Sequence, residues 1–223
     1  MNIMNILERY FDSVIFDMDG LILDNGHWYQ SAYQNAAQKM GYGLKDELYE
    51  QLLGLPHIVC DKILKETFGK EFSIKTFNEL MEEEYQATIE KDGIKFRDGF
   101  EALFSYLKRQ GIPIGLATNS TLSHVQNNLR QTSYLESFDV ICTADDIQRG
   151  KPDPEIYILA THRMNCQTKN TIVFEDSNKG MKAAIAAGCM GIMIPNQALP
   201  EAEVKDNAFL VMNSLNDIIP LIH

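Results

Sequence analysis

The stretch SVIFDMDGLILDN, residues 13–25, decides how the rest of the chain is read. A short apolar run, Val14 to Phe16, ends directly on two acids one residue apart, Asp17 and Asp19. Gly20, a second apolar triplet and Asp24 follow. An apolar run of this length before turn residues reads as a buried strand. Carboxylates are costly at the end of such a strand, so Asp17 and Asp19 need a reason to be there. A calcium loop is not that reason: its sixth position would be Ile22 instead of glycine, and its twelfth Trp28 instead of glutamate.

Working outward, further strand candidates appear at residues 112–118, 138–143, 171–176, 191–194 and 208–212. Helical patterns fill the intervals, as in DGFEALFSYLKRQG, STLSHVQNNLRQT, DPEIYILATHRMN and SNKGMKAAIAAGC. Apolar strands alternating with helices predict an α/β fold, a doubly wound parallel sheet of the Rossmann-like kind, covered on both faces. Gly111 and Gly188 stand where helix stops belong. Asp98, with Glu101 three residues on, predicts a capping box.

The first interval breaks this rhythm. Between Gly26 and about Lys95 the pattern gives only helices, at residues 28–40, 45–53, 58–68 and 74–91. That is too long for an ordinary crossover. The expected organisation is a core of residues 1–25 and 96–223, with an all-helical insert at 26–95. The acidic run ELMEEEY on the last insert helix reads as a solvated face.

The 223 residues, 45% of them hydrophobic, can bury a sizeable core. A formal net charge of −11 argues against nucleic acid or an anionic membrane as partner. Cys60, Cys142, Cys166 and Cys189 are widely spaced and form no CxxC pair, which points to a reducing, cytoplasmic setting. No signal peptide is expected from MNIMNILERYFDS, and no run approaches the ~18 apolar residues of a membrane helix.

Ligands of open parallel sheets bind beyond the carboxyl ends of the strands. Polar residues at those ends should therefore share one site. Asp17 and Asp19 end the first strand, Thr118, Asn119 and Ser120 the second, and Glu175 and Asp176 the fourth. Lys151, in RGKPDPE, follows the third. Each fragment alone has a bland explanation as a turn, a helix cap or a surface lysine. Together, in this order, they resemble the four motifs of the haloacid dehalogenase superfamily, over essentially the whole chain. The second acid, Asp19, resembles the phosphotransferase branch and disfavours halide removal. The helical insert is similar to the cap of the β-phosphoglucomutase and phosphoglycolate-phosphatase-like group.

The resemblance implies a magnesium-dependent phosphatase acting on a small phosphorylated metabolite such as a sugar phosphate. Asp17 would be the nucleophile and Asp19 the general acid and base. Thr118, Asn119 and Lys151 would bind the phosphoryl group, helped by N–H groups at Asn119 and Ser120 that open a helix. Up to four acids at one site demand a cation, and an oxygen-only donor set suits Mg²⁺. The expected ligands are Asp17, the backbone carbonyl of Asp19, Asp176, and Glu175 directly or through water. The cap would close over the site and read the substrate, with His27, Trp28, Gln30 and His57 as candidates. The alternative is a phosphomutase, and the remote alternative a non-catalytic phosphate-binding protein. Asn25-Gly26, Tyr29 and Pro56-His57 depart from the mutase pattern and weigh against the first of these. Oligomeric state is not legible.

Overall fold

The chain begins with a hairpin that its pattern does not announce, β1 (Met4–Ile6) and β2 (Arg9–Phe11), paired antiparallel. Its turn residues, Leu7 and Glu8, both hold positive φ. The computed structural model describes residues 4–52, 55 and 57–223, the side chains of residues 57 and 58 excepted. After β3 (Ser13–Phe16) come the helices α1 (Gly26–Lys39), α2 (Asp46–Leu52), α3 (His57–Phe68) and α4 (Ile74–Asp92). The alternating part follows: α5 (Phe100–Arg109), β4 (Ile114–Ala117), α6 (Leu122–Leu129), β5 (Val140–Cys142), α7 (Glu155–Arg163), β6 (Thr171–Glu175), α8 (Asn178–Ala186), β7 (Met190–Met193), α9 (Ala202–Asn207) and β8 (Leu210–Val211).

Strands β3 to β8 form one six-stranded sheet in the order β5-β4-β3-β6-β7-β8, with every pairing parallel. The chain leaves β3 towards one edge and later returns to build the other edge from β6. The switch in direction therefore lies at the neighbouring strands β3 and β6, where α/β sheets place their ligands. Register does the rest. Phe16 pairs with Leu116 on one side and Phe174 on the other. The residues that follow, Asp17, Ala117 and Glu175, are thereby level at one sheet edge.

Both faces of the sheet are covered, which is why its strands are continuously apolar. On one face Ile15, Val173 and Cys142 pack with Ile156, Tyr157 and Ala160 of α7 and Ala183 and Ala184 of α8. On the other, Phe16 stacks on Phe174 at 5.1 Å and meets Phe100 of α5 edge-on at 5.7 Å. Helix α5 starts at Phe100 after Gly99, at φ 90°, with no side-chain cap. The expected capping box at Asp98 is therefore absent, and Glu101 instead accepts from the Tyr134 hydroxyl at 3.1 Å. A Cβ at Gly99 would lie 2.4 Å from the Asn216 backbone, so glycine is required by space as well as by φ. Gly111 and Gly188 do follow helix ends, both at positive φ.

The chain divides into two compact units, Met1–Asp24 with Lys95–His223, and Asn25–Ile94. The second unit is helical, with an aromatic interior of Tyr33, Tyr42, Tyr49, Phe68, Phe72 and Phe77. Trp28, Ala32, Tyr85 and Ile89 form a second buried cluster between α1 and α4. Among the described residues, no helix is long and apolar enough to cross a membrane.

Candidate active site

The carboxyl ends of β3, β4 and β6 converge on one ammonium group. Lys151 Nζ donates to Asp17 Oδ1 at 2.5 Å, Glu175 Oε1 at 2.6 Å and the Ala117 carbonyl at 3.0 Å. Those three bonds use all its protons. Lys151, Asp17 and Glu175 are 6%, 7% and 0% exposed, so this is a buried ionic network. The Tyr157 ring lies beneath the ammonium, 5.1 Å from Nζ to its centroid. The loop that carries Lys151 is pinned from β4: the Lys151 N–H donates to Asn119 Oδ1 at 3.0 Å. Gly150 permits that approach, since a Cβ there would sit 2.9 Å from the same oxygen.

Glu175 accepts five hydrogen bonds. Besides Lys151, its Oε1 takes the Tyr157 hydroxyl at 2.7 Å. Its Oε2 takes the N–H groups of Asp176 and Ser177 and the Ser177 hydroxyl, at 3.0, 3.1 and 3.0 Å. Gly180 makes room, because a Cβ there would overlap the carboxylate at 1.7 Å. Ser177 also caps α8 through the Gly180 N–H. These donors engage both oxygens and tie Glu175 to Lys151 and to the start of α8.

The electrostatics follow from one ammonium among several acids. Burial works against the charge on Lys151 and on Glu175, but their mutual attraction wins, raising the first and lowering the second. The excess negative charge falls on the other two. Burial, together with the charge of Glu175, pushes Asp17 up to about 8. Asp176 is raised well above the usual carboxylate range by burial, then by Glu175 and Asp17. Carboxylate oxygens of Asp17, Glu175 and Asp176 lie within 4.8 Å of one another. Gly20, at φ +86°, lets the backbone approach Asp176 closely: a Cβ there would come within 2.2 Å of Asp176 Oδ2.

Asp19 is held by α6 and the loop before it. Ser120 Oγ donates to its Oδ2 at 2.7 Å, and His124 Nε2 lies 3.5 Å from its Oδ1. His124 and Asn128 are both buried, and the Asn128 amide donates to the His124 carbonyl at 2.8 Å. Thr118 is buried at the end of β4, and its Oγ1 accepts the Ser120 N–H at 3.0 Å. The expected helix start at Asn119 and Ser120 is corrected: the helix opens only at Leu122, capped by Thr121.

The other candidates lie in the helical unit. Trp28 belongs to its buried cluster, so it packs instead of facing a ligand. Gln30 donates to Asp46 Oδ1 at 2.9 Å. His27 is exposed, with its ring edge-on to Trp28 at 5.5 Å. The side chain of His57 lies outside the described residues. Sequence reasoning missed Tyr157, Arg97, Asn196 and His124. A hydroxyl on the buried face of α7 was the one readable signal for Tyr157. The others are long-range partners that spacing does not reveal.

Residues 14–194 match the model of the haloacid dehalogenase-like hydrolases. The chain belongs to that family. It is 32% identical over 177 residues to a phosphorylated carbohydrates phosphatase of Thermotoga maritima, covering 79% of this chain and 82% of the relative. It is 30% identical to the validoxylamine A 7′-phosphate phosphatase of Streptomyces hygroscopicus, covering 85% and 90%. The crystal structure of a β-phosphoglucomutase from Clostridium difficile superposes with a TM-score of 0.74 at 28% identity, covering 93% of each chain. This haloacid dehalogenase-like hydrolase thus has phosphatases among its relatives and a mutase among its structural neighbours.

Proposed function

We propose that this hydrolase is a magnesium-dependent phosphatase of a small phosphorylated metabolite, a sugar phosphate foremost, working through an aspartyl-phosphate on Asp17. The observation that carries the reading is the buried Asp17–Lys151–Glu175 network with Asp176 beside it. Three carboxylates around one ammonium are over-supplied with negative charge, as the raised Asp17 and Asp176 express. A divalent cation corrects that imbalance. The donor set is oxygen only, which suits Mg²⁺. Asp17, Asp176 and the Asp19 backbone carbonyl would hold the ion, with Glu175 ligating directly or through water. When bound, it would neutralise phosphoryl charge and favour the ionised form of Asp17.

The protein's own steps follow. An oxygen of Asp17 attacks phosphorus, and the bond from phosphorus to the ester oxygen breaks. Asp19 gives its proton to that leaving oxygen. The same carboxylate then takes a proton from water as the water attacks the phosphorus. Inorganic phosphate leaves and Asp17 is restored. Ser120 and His124 orient Asp19 for both transfers. Lys151 fixes Asp17 and exchanges one of its three contacts for a phosphoryl oxygen, while Thr118 and Asn119 supply further polar contact. Positioning and charge neutralisation dominate such transfers.

The sugar-phosphate class is supported by the names of the phosphatase relatives. His27 and His57 remain the candidates for reading the substrate. The wide spacing of the cysteines supports a cytoplasmic enzyme. The test is phosphate release from p-nitrophenyl phosphate, then from a panel of phosphorylated sugars. Excess chelator should stop turnover and added Mg²⁺ restore it; full activity in chelator overturns the metal assignment. With β-glucose 1-phosphate, free phosphate supports the phosphatase, and accumulating glucose 6-phosphate supports the mutase instead.

A further inference from the structure

The loop that carries both aspartates is tied down by residues outside the four motifs. Gly20 accepts two side-chain donors on its carbonyl: Arg97 Nη1 at 2.7 Å and Asn196 Nδ2 at 3.1 Å. Arg97 reaches on to the Pro195 carbonyl at 3.5 Å, and its backbone N–H donates to Ile22 at 2.8 Å. The Asp24 N–H donates to Lys95, and Gly20 N–H to Leu23. The segments before and after the helical insert are therefore paired side by side, and Arg97 reaches from one of them to the turn that follows Asp19. Asn196 approaches the same carbonyl from the loop after β7. The same glycine abuts Asp176, since a Cβ on it would meet Asp176 Oδ2 at 2.2 Å and Asn196 Nδ2 at 3.0 Å.

A guanidinium is the right group for this task. Its planar fork fixes direction as well as distance, and it keeps its charge at any working pH. Resting on the function proposed above, we propose that Arg97, assisted by Asn196, is a positioning residue: by clamping the Gly20 carbonyl it fixes the Gly20–Leu21 peptide and the turn after Asp19, and with them the places of the Asp19 side chain and backbone carbonyl. Neither residue touches the reacting atoms. Both act through the turn.

The test uses the full-length chain with Arg97→Met, Arg97→Lys and Asn196→Ala. Binding of Mn²⁺ alone is measured by electron paramagnetic resonance, beside kcat and KM for p-nitrophenyl phosphate and thermal unfolding. Arg97→Met should weaken Mn²⁺ binding about tenfold, as loss of an outer-sphere support does. It should lower kcat between about 10- and 100-fold with a smaller change in KM, because a misplaced group slows the step more than it weakens binding. Arg97→Lys should recover part of both losses, which general destabilisation would not allow. Folded Arg97→Met protein with the parent's Mn²⁺ affinity and kcat overturns the proposal. If Arg97→Met does not fold, Asn196→Ala decides by the same readouts: its side chain is exposed, and a loss of about threefold in Mn²⁺ affinity supports the clamp while parent values overturn it. The Mn²⁺ titration needs no turnover. A parent chain without phosphatase activity would therefore overturn the proposed function while the titration still judged Arg97.

Discussion

The two units bury opposite kinds of chemistry. In the sheet unit, Asp17, Thr118 and Glu175 are buried at strand ends and Lys151 on a loop beside them, and Asp17, Lys151 and Glu175 share a network of short charged hydrogen bonds. In the helical unit, Asn25 is the one buried polar residue among the described ones, and its amide donates to the Tyr85 hydroxyl at 2.9 Å. Everything else buried there is aliphatic, aromatic or the Cys60 thiol. Buried charge is retained only where partners make it tolerable, and it costs stability when one partner is lost. The difference is why the proposed reaction is sought at the sheet edge, with the helical unit left to what its exposed side chains can do.

The sharpest way to break that division is Asp17→Asn. The change is nearly isosteric and removes the charge of the oxygen proposed to attack phosphorus. Turnover of p-nitrophenyl phosphate should fall by at least about a thousandfold, as loss of a nucleophile does. Parent-like phosphate release from the purified variant would move the chemistry elsewhere. The same variant tests the electrostatics through unfolding. Asp17 is raised from its ordinary 3.8 up to about 8 in the fold, mainly by burial. An acid raised on folding contributes stability that is present below its unfolded value and is lost as pH rises through the folded one. In chelator the parent should therefore lose stability relative to Asp17→Asn between those two values, and a metal ion should reverse the trend. A difference in melting temperature that does not change with pH would contradict a carboxyl raised by burial.

Two tyrosines allow the units to be compared by one edit. Tyr157 donates to the Glu175 carboxylate, and Tyr85 accepts from the neutral Asn25 amide. Hydrogen bonds to a charged group contribute about 1.5–3 kcal/mol and neutral ones about 1 kcal/mol. Tyr157→Phe should thus destabilise more than Tyr85→Phe in urea unfolding. It should also lower kcat, because Glu175 loses a donor that helps it hold Lys151. Equal losses of stability, with kcat unchanged in both, would show that the network at the sheet edge is ordinary packing.

The same contrast explains what the sequence could reveal. Continuous apolar strands ending in Asp17, Thr118 and Glu175 declare a parallel sheet, because strand period and burial are local properties. The hairpin Met4–Phe11 was invisible because its strands span three residues each and its turn lacks the Asn-Gly or Asp-Gly signal. Leu7 at φ 45° and Glu8 at φ 65° adopt the left-handed region without glycine, which propensity does not anticipate. Motif residues at strand ends were legible for the same local reason. The hydrogen-bond partners of Glu175 and of the Gly20 carbonyl were not, since they depend on residues such as Tyr157, Asn196 and Arg97, brought close only by the fold.

The smallest expected effect lies on the helical unit. His27 is exposed on the first turn of α1, and its ring contact is with Trp28 alone among the aromatic pairs observed. If the division between units holds, His27→Ala should change kcat for p-nitrophenyl phosphate by no more than about twofold, the rate equivalent of a typical surface substitution of roughly 0.5 kcal/mol. That substrate offers almost nothing beyond its phosphoryl group for a side chain of the helical unit to read. A phosphorylated sugar offers hydroxyls, so KM across a panel of them is where His27 should register if it contacts substrate. A collapse of p-nitrophenyl phosphate turnover in folded His27→Ala protein would mean that the helical unit supplies a group to the reaction itself.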